Sequence, residues 1–194
     1  VEMSAILLEK CKLRSTIALK LGQISNVELD IKSEELSLNL GFLFSLLAII
    51  PNKNLIGAFA PIQKEPIWYK SFDASGLEAL SFPSVLKNEQ MVFRKSKLSE
   101  LIVQKDFGVS IKGPSKRDKI VSPDLLLIPG LAFSLDGSRL GRGKGYYDSY
   151  LQKFNGLRIG IGFECQIVDK IPTERHDEFC HWIVTEKDIY HCKR

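Results

Sequence analysis

Between Arg139 and Asp148 the chain reads Arg-Leu-Gly-Arg-Gly-Lys-Gly-Tyr-Tyr-Asp. Glycine at alternate positions removes this stretch from the interior of any regular helix or strand. Gly141, Gly143 and Gly145 permit turns that a Cβ would block, so successive N–H groups can converge on one oxyanion. Arg142 and Lys144 lie between them and Arg139 just ahead, which makes the stretch read as an anion cradle. The apolar and aromatic run from Tyr146 to Phe154 predicts a helix starting where the loop ends. Its N-terminus would add a positive dipole end and free N–H groups to the same site.

Two phosphate motifs fix glycines at set spacings, and neither fits. A P-loop needs Gly where Ser138 stands and Ser or Thr where Gly145 stands. The dinucleotide fingerprint needs its third Gly at Tyr146 or Asp148 and a strand directly before it, whereas the nearest candidate strand ends at Ile128. The cradle is of another kind.

Beyond it, 194 residues that are 44% hydrophobic and 26% charged suit a single domain, 1–194, with a substantial core. The formal charge of +4 favours anionic ligands but is too mild to demand nucleic acid. The basic segment Lys105–Lys119 has no RNA-binding signature or stacking motif. Cys11, Cys165, Cys180 and Cys192 show no Cys-x-x-Cys spacing and the N-terminus lacks a signal-peptide pattern, so reduced thiols in the cytoplasm are expected. The apolar run Leu36–Ile50 is interrupted by Asn39, Gly41 and Ser45. It is too short for a membrane span and reads as a buried helix.

Leu7, Leu8, Cys11, Ile17, Ala18 and Leu21 recur at helical spacing, with Gly22 as the stop. Lys10 and Arg14, four apart, share a face that either reaches one anion or is simply solvated. A second helix is expected after Ser33 as its cap, burying Leu36, Leu40, Leu43 and Leu47. Leu55–Phe59 reads as a buried strand opening into a loop, Ala60 to Pro66, that carries Glu65. Ile67–Phe72 reads as helical, Leu77–Phe82 as a strand ending before Pro83, and Gln90–Arg94 as another strand. Lys105–Lys119 reads as loop. Asp124–Ile128 is the clearest buried strand, followed by Leu157–Phe163 and, last, Trp182–Thr185. Strands alternating with helices predict an α/β sheet with helices on its faces.

His176, Cys180, His181, His191 and Cys192 raise a zinc site, but their spacing matches no closed four-ligand pattern. A Cys nucleophile with a His base is no better supported.

The ordered set Asp124–Phe133, Gly137, Arg139–Asp148 and Leu151 resembles the signature of the 5-formyltetrahydrofolate cyclo-ligases. Weaker matches run from Lys10 with Leu13-Arg14, through Ala60-Pro61 to Glu65, Met91–Phe93, Phe107-Gly108 and Gln166, to Pro172 with Glu174, His176 and Asp177. The resemblance implies a three-layer α/β sandwich with a central, mostly parallel sheet and helices on both faces, of the NagB/RpiA type. It implies an enzyme that uses ATP and Mg²⁺ to close 5-formyltetrahydrofolate, polyglutamylated or not, into 5,10-methenyltetrahydrofolate. The expected form is a monomer.

Carried over by position, Lys10, Arg14, Arg139, Leu140, Gly141, Arg142, Gly143, Lys144, Gly145, Tyr146 and Tyr147 would hold the nucleotide. Arg142, Lys144 and Tyr146 would serve catalysis. Ala60, Glu65, Phe107 and the segment from Arg142 to Tyr146 would meet the folate, and Asp148 and Asp177 would hold Mg²⁺. Two departures stand out: Ser134 replaces an expected Asp, and Lys112-Gly113-Pro114 replaces an expected Glu-Pro. They motivate the alternative of a catalytically idle member that binds folate or nucleotide.

Overall fold

Two long helices open the chain, α1 (Ala5–Gln23) and α2 (Asn26–Leu46). The computed structural model describes residues 5–72, 77–175 and 177–193, so His176 lies outside the described residues. α2 starts earlier than expected because Ser25 and Glu28 form a capping box: Glu28 N–H donates to Ser25 Oγ, and Ser25 N–H to the Glu28 carboxylate. Ser33 is no cap; it is buried mid-helix, and its Oγ accepts a bond from Ile67 N–H. Leu36, Leu40 and Leu43 face the core and Leu47 is half-buried, while Leu38, Phe42 and Leu46 stay exposed. The helix is therefore amphipathic in contact rather than buried all round.

α1 also presents a different face from the one its leucines suggest. Ile17 and Leu21 are buried together with Lys10, whereas Leu7, Leu8, Cys11 and Ala18 are exposed. The ion pairs of Lys10, together with Leu13 packed against the core, dock its N-terminal half.

The sheet holds eight strands. β1 (Ile56–Gly57), β2 (Leu80–Val85), β7 (Leu125–Pro129), β10 (Leu157–Ile161) and β11 (Trp182–Val184) are its parallel centre. β3 (Met91–Lys95), β6 (Ile120–Val121) and β12 (Ile189–His191) extend it antiparallel at the two sides. The spatial order is β12-β11-β10-β7-β1-β2-β3-β6. Leu125 and Leu127 of β7 face the α1 and α2 layer, and Leu126 and Ile128 face the layer of α3 (Tyr146–Leu151), the six-residue helix after the cradle. A strand buried on both faces explains the unbroken apolar run. Among the described residues no helix is long and apolar enough to cross a membrane.

Several local expectations give way to tertiary context. Ile67–Phe72 forms turns that wrap the buried Trp68, whose indole N–H donates to Phe59 O. β2 continues through Pro83 because β1 pairs only with Leu80 and Ser81, leaving no ladder bond for Pro83 to supply on that side. Within Lys105–Lys119, β4 (Ile102–Asp106) and β5 (Val109–Gly113) make a separate hairpin turning at Phe107-Gly108. β8 (Ala132–Phe133) and β9 (Arg139–Leu140) make another. The last strand is β12, beyond the expected Trp182–Thr185.

Gly160 and Gly162 make room for Phe133: a Cβ on either would come within 2.7 Å of its fully buried ring. Gly160→Ala should therefore destabilise the fold by about 1–3 kcal/mol through overpacking, read as a lower urea midpoint with unchanged slope.

Candidate active site

The chain leaves β1 toward β2, β3 and β6, then returns to place β7 on the other side of β1. Their C-terminal ends therefore diverge, and in open α/β sheets ligands bind at such a switch point. The loop after β1 brings Ala60 and Glu65; the chain after β7 brings the hairpin β8–β9 and the glycine loop.

The glycine loop touches both neighbouring elements. Arg14 of α1 donates from Nε to Gly141 O at 2.9 Å, and its guanidinium lies 3.6 Å from where a Cβ on Gly143 would stand. Arg142, half exposed, donates to the Glu65 carboxylate at 3.0 Å. Gly143 and Gly145 have φ of 98° and 69°, the left-handed region that glycine enters without strain. Lys144 projects into solvent. α3 follows with Gly145 as its N-cap but is short, so its dipole adds less than a long helix would.

Glu65 is positioned by its own loop, its carboxylate accepting from Ile62 N–H. Burial raises its pKa above the usual carboxylate range, against the lowering effect of Arg142 and of the Ile62 N–H. A largely buried carboxylate with a raised pKa is a candidate functional group.

Lys10, one turn before Arg14, is buried and holds Asp177 at 2.7 Å and Glu174 at 2.9 Å. Burial would lower its pKa, but the hydrogen bonds and charges of Asp177 and Glu174 outweigh it and the ammonium is raised. Asp148 accepts from Arg139 at 2.8 Å. The two carboxylates expected at magnesium are thus each held by a cation from the expected phosphate set.

Arg139 stands apart from Arg14, Arg142 and Lys144. Its side chain is only 3% exposed, reaches Pro129 O as well as Asp148, and lies 5.5 Å from the Tyr147 ring centre. It ties the base of the loop to the end of β7 and the start of α3. Leu140 is core, and its carbonyl accepts from Leu131 N–H. Burial raises the Tyr147 phenol strongly, and among the described residues its hydroxyl has no hydrogen-bond partner. Tyr146 packs edge-on against Phe107, ring centres 5.1 Å apart.

Several supporting residues carried no assigned role at the sequence level. Gln166 is buried and bonds Phe163 N–H, Gly130 O and Leu131 O, bracing the turn after β7. Arg158 donates to Leu151 O and Phe154 O and so closes the end of α3. Burial pushes the thiols of Cys180 and Cys192 up to about 11 and about 12, which keeps both protonated at neutral pH and unsuited to attack.

Residues 78–186, more than half of the chain, match the 5-formyltetrahydrofolate cyclo-ligase family. The chain belongs to that family. It is 47% identical over 60 residues to the Mus musculus 5-formyltetrahydrofolate cyclo-ligase, 28% of this chain and 30% of the mouse protein. It is 36% identical over 70 residues to the Escherichia coli (strain K12) enzyme of the same name, 34% of this chain and 38% of that one. The matched segments thus span about a third of the length of these relatives. The NMR structure of Aquifex aeolicus 5,10-methenyltetrahydrofolate synthetase superposes with a TM-score of 0.77 at 28% identity, covering 95% of this chain and 93% of that one. A Mycoplasma pneumoniae synthetase shares the fold at a TM-score of 0.68 and 22% identity, over 92% of this chain and 99% of that one. The cyclo-ligase fold thus accounts for the mostly parallel sheet.

Two outcomes follow for this family member. Arg139→Met should cost about 3 kcal/mol, the lower end for breaking a buried pair, because Asp148 keeps some contact with water; chemical denaturation measures it. A carboxyl whose folded pKa is raised contributes stability fully present below its unfolded value of about 4.3 and lost as pH rises through the folded value. Glu65→Gln should therefore flatten the decline in urea midpoint above that pH.

Proposed function

We propose that the protein is an ATP- and Mg²⁺-dependent 5-formyltetrahydrofolate cyclo-ligase. The observation that carries this reading is the meeting of three chain segments at the switch point of the sheet, through Arg14 with Gly141 and Arg142 with Glu65. A formyl oxygen is a poor leaving group. Transfer of the γ-phosphoryl of ATP onto it breaks the bond to ADP and leaves a phosphorylated formyl group. The neighbouring folate nitrogen then attacks the formyl carbon, the C–O bond breaks, and phosphate departs with the oxygen.

The chain's part is positioning and charge neutralisation. Arg14, Arg142 and Lys144, with the N–H groups of Gly141, Gly143 and Gly145, grip the phosphates. Glu65 accepts paired hydrogen bonds from the aminopyrimidine edge of the pterin, beside Ala60. In the free protein Arg142 satisfies that carboxylate; the pterin takes it over and releases Arg142 toward phosphate. Tyr146 flanks the transferring group, and Phe107 stands beside Tyr146.

Among the described residues no cluster of three or more His, Cys, Asp or Glu could hold a metal ion. Magnesium suits what is present, since it binds through one or two carboxylates with phosphate oxygen and water completing its shell. Asp148 and Asp177 would hold it, where it would screen the β- and γ-phosphates. Lys10 would then exchange Asp177 for a phosphate contact. Four free cysteines agree with a reducing cytoplasm, and we take the working form to be a monomer.

The departures behind an idle family member have structural settings. Ser134 is buried and donates to Asp169 O, and Lys112-Gly113 lie in the outer hairpin. Growth of methenyltetrahydrofolate absorbance with ATP, Mg²⁺ and the formyl substrate tests the activity. Arg142→Ala and Lys144→Ala, both at exposed positions, should fold normally yet lower kcat by about 10²-fold. Wild-type ATP saturation in both variants would remove the cradle from the mechanism. Asp148→Asn should raise the Mg²⁺ concentration needed for half-maximal rate.

A further inference from the structure

α2 turns Leu36, Leu40 and Leu43 to the core, yet Val27, Ile31, Leu38, Phe42 and Leu46 are between 53% and 71% exposed. At 3.6 residues per turn these five fall within an arc of about 100°, so they form one stripe along the solvent side of the helix. Helix formation does not call for them: Lys, Glu or Gln holds a solvated helical position better than Val, Ile or Phe. An apolar stripe of this length, rimmed by polar groups, marks a docking surface.

The charges beside the stripe say what it would take. The chain as a whole carries +4, but this side of α2 is acidic. The helix has one basic residue, Lys32, and it is drawn to the buried Glu186 at 2.5 Å. Glu28 is folded back into its capping box, and Asp30 binds Lys70. Glu34 and Glu35 remain: both are exposed, and among the described residues neither carboxylate has a hydrogen-bond or ion-pair partner. Helical spacing sets them at mid-length, one on either side of the line from Ile31 to Leu38. A second copy of the chain is a poor occupant. Two stripes paired antiparallel about a two-fold axis would bring the Glu34 and Glu35 carboxylates of both copies close to that axis, where like charges repel.

We propose that this face of α2 docks a basic amphipathic helix of another polypeptide. The partner's apolar side seats on Ile31, Leu38 and Phe42, and its Lys or Arg side chains lie over Glu34 and Glu35. The carboxylates thereby set partner choice as well as affinity, since an acidic amphipathic helix with the same apolar side is repelled. The surface is separate from the glycine loop, whose contacts run through Arg14 of α1 and Glu65. The proposal therefore stands independently of the cyclo-ligase reading.

The probes are two labelled synthetic helices about four turns long, one of leucine and lysine and one of leucine and glutamate with the same apolar side. Fluorescence anisotropy follows their binding to the whole chain. The lysine peptide should bind the wild-type protein at least about tenfold more tightly than its glutamate twin. Leu38→Ser with Phe42→Ser should weaken it by about tenfold or more at an unchanged thermal midpoint, because both side chains are exposed in the free protein. Glu34→Lys with Glu35→Lys should reverse the preference in favour of the glutamate peptide. No binding by the wild-type protein, equal binding of the two peptides, or binding that survives Leu38→Ser with Phe42→Ser overturns the proposal. Two other occupants show themselves with the same variant. A concentration-dependent dimer that it dissociates in sedimentation equilibrium gives the face to a second copy, and pelleting with phosphatidylserine vesicles that it abolishes gives the face to lipid; either result overturns the proposal as well.

Discussion

The pairing of β1 between β2 and β7 is the constraint on which the rest depends. β1 contributes two ladder residues, yet it is hydrogen-bonded on both sides and carries the chain into the crevice. Asp124 sets the register just before β7: Leu55 N–H donates to its carboxylate, and its own N–H donates to Leu55 O. With β1 and β7 locked side by side, their departing loops must diverge, and Glu65 and the glycine loop face each other across the opening. A short strand suffices because its neighbours are longer and buried on both faces.

Around that opening several ordinary rules of folding are broken. Glu65 is a carboxylate in a site that disfavours its charge. Among the described residues the buried Arg139 Nε finds no partner, and the Tyr147 hydroxyl is likewise unsatisfied. Phe107 occupies a glycine-like conformation. Elsewhere the core follows its pattern, with leucine, isoleucine and phenylalanine on both faces of the central strands.

Ion pairing shapes the site in the free protein. Lys10 with Asp177 and Glu174, Arg139 with Asp148, and Arg142 with Glu65 bring cation and carboxylate together at or just behind the crevice. Each pair orients its partners. On the proposed function, binding would exchange one set of charge partners for another instead of desolvating bare ions.

What was legible in the chain itself was local. The alternate glycines announced a loop that turns where Cβ atoms cannot, and the apolar run after Asp124 announced a strand covered on both sides. Both features depend on residues adjacent in sequence. The Ser25–Glu28 box was equally local and marks the true start of α2, so Ser33 was the weaker signal. Tertiary packing alone decided the remainder. Pro83 can sit inside a strand only because β1 stops short of it, and Leu7 and Leu8 lose their places on the buried face to Lys10. Lys10 meets Asp177 across 167 positions and Arg142 meets Glu65 across 77. No spacing rule reaches that far: propensity and periodicity act along a few residues, whereas the choice of charge partners is made by whichever groups the sheet topology leaves together away from water.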